Sequence, residues 1–329
     1  MSLSKSKLIS YEEYLNTLTQ KELTAFLDTL EIEYNSKAPI ADLIALILEE
    51  LDDIIYKVLS YLTLEEYRMI KYIIKQNGNI KLRTNVGLMK FCEYLTSHHL
   101  MYKIEEKKYG LFKEVYNIFK VKIKQKRVLK KCKKNSNEFH LIMGSLLGYG
   151  ARNLKDFYNI YCEKYEMTEN GLKEYLISLE RYNNSFGIYE DKDNIYLANI
   201  KVNDIKECQR YADAQDKAKY SASEIQGLYT LNYMKKYKSY RKLRKFINDS
   251  YYIEKDNFKV VVERILIPFL EEYQISRQND NKLLEDLFAD YFEFNSKKHQ
   301  ERFLNLVNEL AKDYPKWVLG GYSEREKEK

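Results

Sequence analysis

Two stretches of the chain hold the residues whose type and spacing could do chemistry, and that chemistry is the neutralisation of phosphate. Residues 117–134 hold nine Lys/Arg and no acid, and residues 232–245 hold seven Lys/Arg and no acid. The first stretch contributes Lys122, Lys124, Lys126, Arg127, Lys130 and Lys131. The second contributes Lys235, Lys236, Lys238, Arg241, Lys242, Arg244 and Lys245. Cations at this density release the counterions condensed on a nucleic-acid backbone, which supplies affinity without reading sequence. The flanks are acidic: residues 1–60 carry 5 Lys/Arg against 11 Asp/Glu, while residues 61–137 carry 19 against 6. The net charge of +6 therefore hides two basic islands between acidic blocks, a pattern that speaks about partners rather than fold. The 31 tyrosines fit amphipathic core edges, with their rings packed and their hydroxyls at water. Tyr233, Tyr237 and Tyr240 interleave with the second island, where stacking on unpaired bases is the other reading.

Catalytic patterns are missing. There is no phosphate-binding glycine loop, no dinucleotide fingerprint, no zinc-protease helix motif and no nucleophile elbow. The histidines are His98, His99, His140 and His299, none at ligand spacing with another. Adjacent His98 and His99 point to different sides of a helix. Cys92 and His99, one heptad apart, are the remote metal pairing; a buried structural cysteine and a surface histidine is the preferred reading. Cys92, Cys132, Cys162 and Cys208 form no CxxC pair, which argues against a zinc ribbon or redox centre and fits a reducing cytosol. The opening residues lack the apolar stretch of a secretory signal, and no apolar run approaches the ~20 residues that span a bilayer. The expectation is a cytoplasmic protein that is not an enzyme, with no cofactor, no metal and no membrane partner.

The elements that must position the islands come next. Only 3 Pro and 11 Gly in 329 residues suit helices better than a turn-rich β fold. Residues 1–50 read as helix, extended link, helix. Thr19 and Glu22 sit at capping-box spacing, and Leu23, Phe26, Leu27 and Leu30 form one apolar stripe. Residues 51–116 have the order of a winged helix: a helix over 51–61, a second capped by Thr63 with Glu66 and stopping at Asn77-Gly78, a short strand at Ile80 and Leu82, a third helix from Val86 capped by Asn85, and a hairpin wing from Met101. Lys81, Arg83 and Lys90 lie on or before the third helix. Lys103, Lys107, Lys108 and Lys113 lie on the wing. Residues 117–136 form a basic connector, either a helix with one apolar side or, at 120–124, a last wing strand; in both cases the bases project outward because burying so many charges is not feasible.

The same order recurs in residues 137–205: a helix over 138–147 ending at Gly148–Gly150, a second from Asn153 to about Glu166, a third capped by Thr168, and a second wing at 186–198. A recurring unit is better evidence than either copy alone. The second wing carries Glu190, Asp191 and Asp193, so this copy is expected to repel DNA and to dock a protein. Residues 206–245 read as a linker followed by the basic Tyr/Lys arm. Residues 246–329 read as a helical domain with helices over about 256–273, 281–294 and 296–313 and a frayed charged tail. The fold class is mainly α with small β-hairpins, as tandem winged-helix-like domains between helical N- and C-terminal modules.

The N-terminal module resembles the helix-extended-helix modules of SAP-type proteins and of the transcription terminator Rho, which often bind nucleic acid; here it is acidic, with Lys21 and Lys37 as its bases between residues 19 and 50. Leu64–Tyr67, Leu141–Gly150, Tyr240–Leu243 and Asp313–Ser323 together resemble a group of clostridial and bacillar proteins that join such a module to winged-helix-like domains. Members often end in a zinc motif of the SecA C-terminal type. No cysteine follows Ser323 here, so the resemblance implies architecture and not zinc. The functional expectation is a nucleic-acid-binding regulatory protein, duplex DNA being the expected partner, acting through the first winged-helix domain and both islands. The alternative is a protein–protein adaptor or inhibitor that docks through the second winged-helix domain or the acidic N-terminal module. An enzyme with a dispersed site is the third reading.

Overall fold

The computed structural model describes residues 8–30, 32–82, 86–182, 185–191, 194–213, 216–230, 233–250, 266, 270, 273 and 294–328. Among these it is mainly helical, with fifteen α-helices and six short strands in two antiparallel sheets. The chain divides into two compact units, residues 1–137 and 138–329.

The first unit opens with α1 (Tyr11–Leu15), α2 (Gln20–Leu30) and α3 (Ile40–Glu49). The expected capping box forms: the Glu22 carboxylate accepts from the Thr19 N–H and hydroxyl at 2.7 Å, satisfying donors a helix start would orphan. Leu23, Phe26, Leu27 and Leu30 are buried as one stripe. Next come α4 (Leu51–Tyr61), α5 (Leu64–Lys75), β1 (Asn79–Lys81), α6 (Val86–Ser97), β2 (Met101–Glu105), β3 (Lys108–Leu111) and α7 (Lys113–Lys122). Thr63 and Glu66 cap α5 reciprocally. The helix ends on Gly78 at φ +81°, a left-handed position that glycine adopts without steric cost. Strand order is β1-β3-β2, with Ile80 opposite Tyr109 and Met101 opposite Leu111. Lys113 is therefore not on the wing: it begins α7, its N–H donating to the Ile9 carbonyl at 2.9 Å.

The connector is helical apart from a turn at residues 123–125, and no wing strand forms at 120–124. Val115, Phe119 and Lys122 are buried along α7, a helical spacing that outweighs the local Lys/apolar alternation. After a turn comes α8 (Lys126–Tyr149). Its N-terminal half packs on α4: Asn135 donates to the carbonyls of Ser60 (2.6 Å) and Leu62 (3.0 Å), and Ser136 accepts from the Leu64 N–H.

In the second unit, β4 (Ala151–Asn153) follows α8 directly, then α9 (Leu154–Tyr161), α10 (Glu169–Tyr182), β5 (Phe186–Asp191) and β6 (Asn194–Asn199). Strand order is β4-β6-β5. The sequence reading has no strand at 151–153 and runs the second helix five residues too far, to Glu166. The segment read as a linker holds two helices instead. α11 (Ile205–Ala212) buries Cys208 and Tyr211 beside Trp317, and α12 (Ala222–Thr230) buries Ile225 and Leu228. α13 (Lys238–Ser250) and α14 (Lys297–Ala311) pack through Leu243, Phe246, Phe303 and Val307. The helices expected over 256–273 and 281–294 lie outside the described residues, apart from buried Leu266, Leu270 and Tyr273. The tail is anchored rather than frayed. α15 (Glu324–Lys327) has a complete Ser323–Glu326 capping box, and its Arg325 and Lys327 pair with Glu309 and Asp216.

Candidate nucleic-acid interface

The first basic island becomes the exposed side of α8. Val128 and Cys132 are buried toward α4, with Asn135 and Ser136 following. A helix that buries these positions turns the intervening ones to water, and Lys126, Arg127, Lys130, Lys131, Lys133 and Lys134 are all exposed. Lys126, Lys130 and Lys133 form one row, and Arg127, Lys131 and Lys134 its neighbour. The sequence reading counts Lys133 and Lys134 within the island but leaves them out of the site; the i, i+3, i+4 spacing of α8 is the signal that adds them. No acid stands in the first turn of this helix, where the positive end of the macrodipole favours one. Like charges four apart, as in Lys126–Lys130 and Arg127–Lys131, repel by roughly 0.2–0.5 kcal/mol per pair. The face thus works against the stability of its own helix.

One island residue is buried. The Lys122 side chain is 8% exposed, donates to Asp52 at 2.5 Å and lies 5.3 Å from the centroid of the Tyr56 ring. It is a structural cation joining α7 to α4 and is withdrawn from the candidate interface, against the expectation that every base projects outward. A single carboxylate and a ring suffice because the stem packs apolar while Asp52 stays solvated. Lys124 is exposed in the turn before α8. Arg127 stacks its guanidinium 4.8 Å from the Tyr56 centroid and donates Nε–H to Gln125 at 2.8 Å.

The first wing offers less than its sequence promises. Lys81, Lys103 and Lys107 are exposed, but Lys108 is tied to Glu105 at 2.5 Å. The Lys108 ammonium, with Lys81 beyond it, holds the Glu105 carboxyl below its usual range. Glu106 is exposed beside them. On α6 the exposed side holds Gly87, Lys90, Glu93 and Ser97. Arg83 and Asn85 lie outside the described residues.

The second island forms a short 3-10 turn (Tyr233–Lys236) and α13. Tyr233 and Tyr240 are buried with Leu243, Phe246 and Ile247 in the core of the second unit, and Tyr237 is half-buried against it. The interleaved tyrosines are therefore core residues and not stacking platforms, because α13 is amphipathic with its aromatic positions on the apolar side. Lys235, Lys236, Lys238, Arg241, Lys242, Arg244 and Lys245 are exposed. Lys236 is spoken for, 3.6 Å from the Tyr233 centroid and 3.8 Å from Glu224. Lys238, Arg241, Lys242 and Lys245 share one stripe by spacing.

Burial pushes the thiols of Cys92 and Cys208 up to about 12 and that of Cys132 up to about 11, far from the range of reactive thiolates. Glu138 is buried and accepts from the hydroxyls of Tyr161 (2.7 Å) and Tyr175 (3.2 Å), joining α8 to α9 and α10. Among the described residues, no three His, Cys, Asp or Glu side chains are gathered to hold a metal ion, and no helix is long and apolar enough to cross a membrane. Three of the segments carrying the family resemblance build the second unit's core: the Trp317 indole donates to the Leu147 carbonyl at 3.0 Å, and Ser239 bonds Asp313 beside Tyr240. Comparison with models of protein families, with curated proteins and with solved structures gave no match.

Proposed function

We propose that this protein binds nucleic acid, with a regulatory role on DNA, and that the outer face of α8 is its principal contact. The observation that carries the reading is the cluster of six exposed cations over residues 126–134, in a helix whose first acid is Glu138. Such a face raises the energy of the free protein, and a polyanion relieves the repulsion on binding. The stripe on α13 supplies a second contact of the same kind. The winged-helix element order supports the reading only as architecture, since fold does not fix function.

The test is a salt series of duplex DNA binding by fluorescence anisotropy, on the native chain and on a variant with Lys126, Lys130, Lys131 and Lys133 each changed to Glu. These side chains are exposed, and acids near a helix N-terminus favour its dipole, so the variant should fold. Loss of at least ~100-fold in affinity at low salt is the expected result, in line with removal of four phosphate contacts. Unchanged affinity would sink the assignment.

A further inference from the structure

We infer that the ligand is the backbone of a double-stranded nucleic acid, held without regard to base sequence; this rests on the nucleic-acid reading above. Single strands are gripped largely by stacking, at ~1–3 kcal/mol per base, and the rings beside the cations are already engaged. Tyr56, an aromatic beside the α8 face, is 38% exposed, but both Arg127 at 4.8 Å and Lys122 at 5.3 Å lie against its ring. Tyr233 carries Lys236 at 3.6 Å, and Tyr240 is buried. Tyr237 is half-buried, its ring edge-on to Tyr233 at 5.3 Å.

Base readout in a duplex needs Arg, Asn or Gln presented to a groove. Among the described residues, the exposed side of α6 presents Lys90 and Glu93. On α10, Lys173 is tied to Glu190 at 3.2 Å and Asn170 to Glu174 at 3.0 Å. Among their described side chains, neither helix presents a reading set.

What remains is a stiff row of charges. Along either row, from Lys126 to Lys133 or from Arg127 to Lys134, a helix rises about 10.5 Å. A duplex strand offers a phosphate every ~3.4 Å of its axis, so the row spans three to four phosphates, and its neighbouring row lies alongside. A rigid array suits a rigid polyanion, and counterion release per phosphate is greater on a duplex than on a single strand.

The experiment uses the full chain and labelled DNA: two duplexes of equal length and unrelated sequence, the separated strands, and an RNA duplex, each titrated across a salt series. The duplexes should bind within about twofold of one another and at least tenfold tighter than the single strands. Their log-log salt slope should be at least as steep as about −5, the value that the six α8 cations alone predict. The four-fold Glu variant described above should lose most of that slope. A strong preference for one DNA sequence, or single strands bound as tightly as duplexes, would overturn this inference while leaving nucleic-acid binding intact. No binding to any nucleic acid, with an acidic protein bound instead, would overturn both.

Discussion

The two sheet-bearing modules share a strand order and differ in almost everything that could touch a ligand. Each has its first strand paired with its last, β1-β3-β2 in the first unit and β4-β6-β5 in the second. The second module runs helix, strand, helix, helix, hairpin. In the first, a single described helix, α6, stands between β1 and β2, so α5 rather than α4 is the counterpart of the helix that leads into the sheet. The wings differ in charge: Lys103, Lys107 and Lys108 face Glu105 and Glu106 in the first, whereas Glu190 and Asp191 mark the second. In neither module does the densest positive charge sit on the helix after the sheet's first strand. It sits on α8 and α13, on the sides of those helices turned away from the cores they help to build. A shared topology thus leaves the placement of charge open, and the charged faces lie on helices outside the sheets.

The comparison can be broken hardest at Gly144, in the part of α8 that belongs to the second unit. A β-carbon there would lie 1.9 Å from the Ile225 carbonyl oxygen, a backbone atom. Gly144→Ala should destabilise the second unit by about 3 kcal/mol, overpacking outweighing the gain in helix propensity. A calorimetric scan resolving two transitions should show one move and the other hold. A single transition shifting as a whole would show that the units do not melt separately.

A smaller effect sharpens the picture of the first unit. Lys122 is buried and its partner Asp52 is largely exposed. Asp52→Asn leaves a desolvated ammonium without its counter-charge, whereas Lys122→Met leaves a carboxylate that water solvates. Asp52→Asn should cost about 2 kcal/mol and Lys122→Met less than ~1 kcal/mol, since a stranded buried charge is the costly outcome. Urea denaturation of both variants checks the order, and equal costs would argue against a buried, paired Lys122.

The smallest expected effect is a pH dependence from two histidines of the first unit. Burial holds His98 and His99 below the usual imidazole value of 6.5; the neighbouring Glu22 opposes this at His99, and His98 adds to it. The His99 ring meets the Tyr14 hydroxyl at 2.6 Å and packs edge-on to Phe26 at 4.9 Å, linking the end of α6 to α1 and α2, while His98 Nδ1 lies 2.9 Å from the Tyr94 carbonyl. An imidazole with a depressed folded-state pKa takes up its proton first in the unfolded chain. Its contribution is therefore intact above about pH 6.5 and is lost as pH falls from there toward the folded pKa. Melting followed between neutral and mildly acidic pH should show this decline, and it should shrink in His99→Phe. Stability flat over that interval would contradict the buried placement of the pair.

Much of this was legible in the chain where short-range physics decides. The Thr19–Glu22 and Thr63–Glu66 capping boxes and the helix stop at Asn77-Gly78 follow from local spacing and form as read; both hairpins form where expected, but the second strand of the first is Lys108–Leu111 rather than Leu111–Lys113. Less legible was β4, three residues that carry no alternation long enough to see and become a strand only by pairing with β6. The segment read as a linker is helical because Cys208, Tyr211, Ile225 and Leu228 find distant partners, which composition does not reveal.

The division at the charged residues has the same cause. Sequence by itself determined that residues 117–134 and 232–245 are basic, and it placed all the charges of the first stretch at water because desolvating them is costly. Tertiary structure decided which do not stay there: Lys122 is drawn inward by Asp52, and Tyr233 and Tyr240 are taken by a core whose other members lie up to the Trp317 segment. Charge density is a property of neighbours along the chain. Exposure depends on neighbours in space, and only packing supplies those.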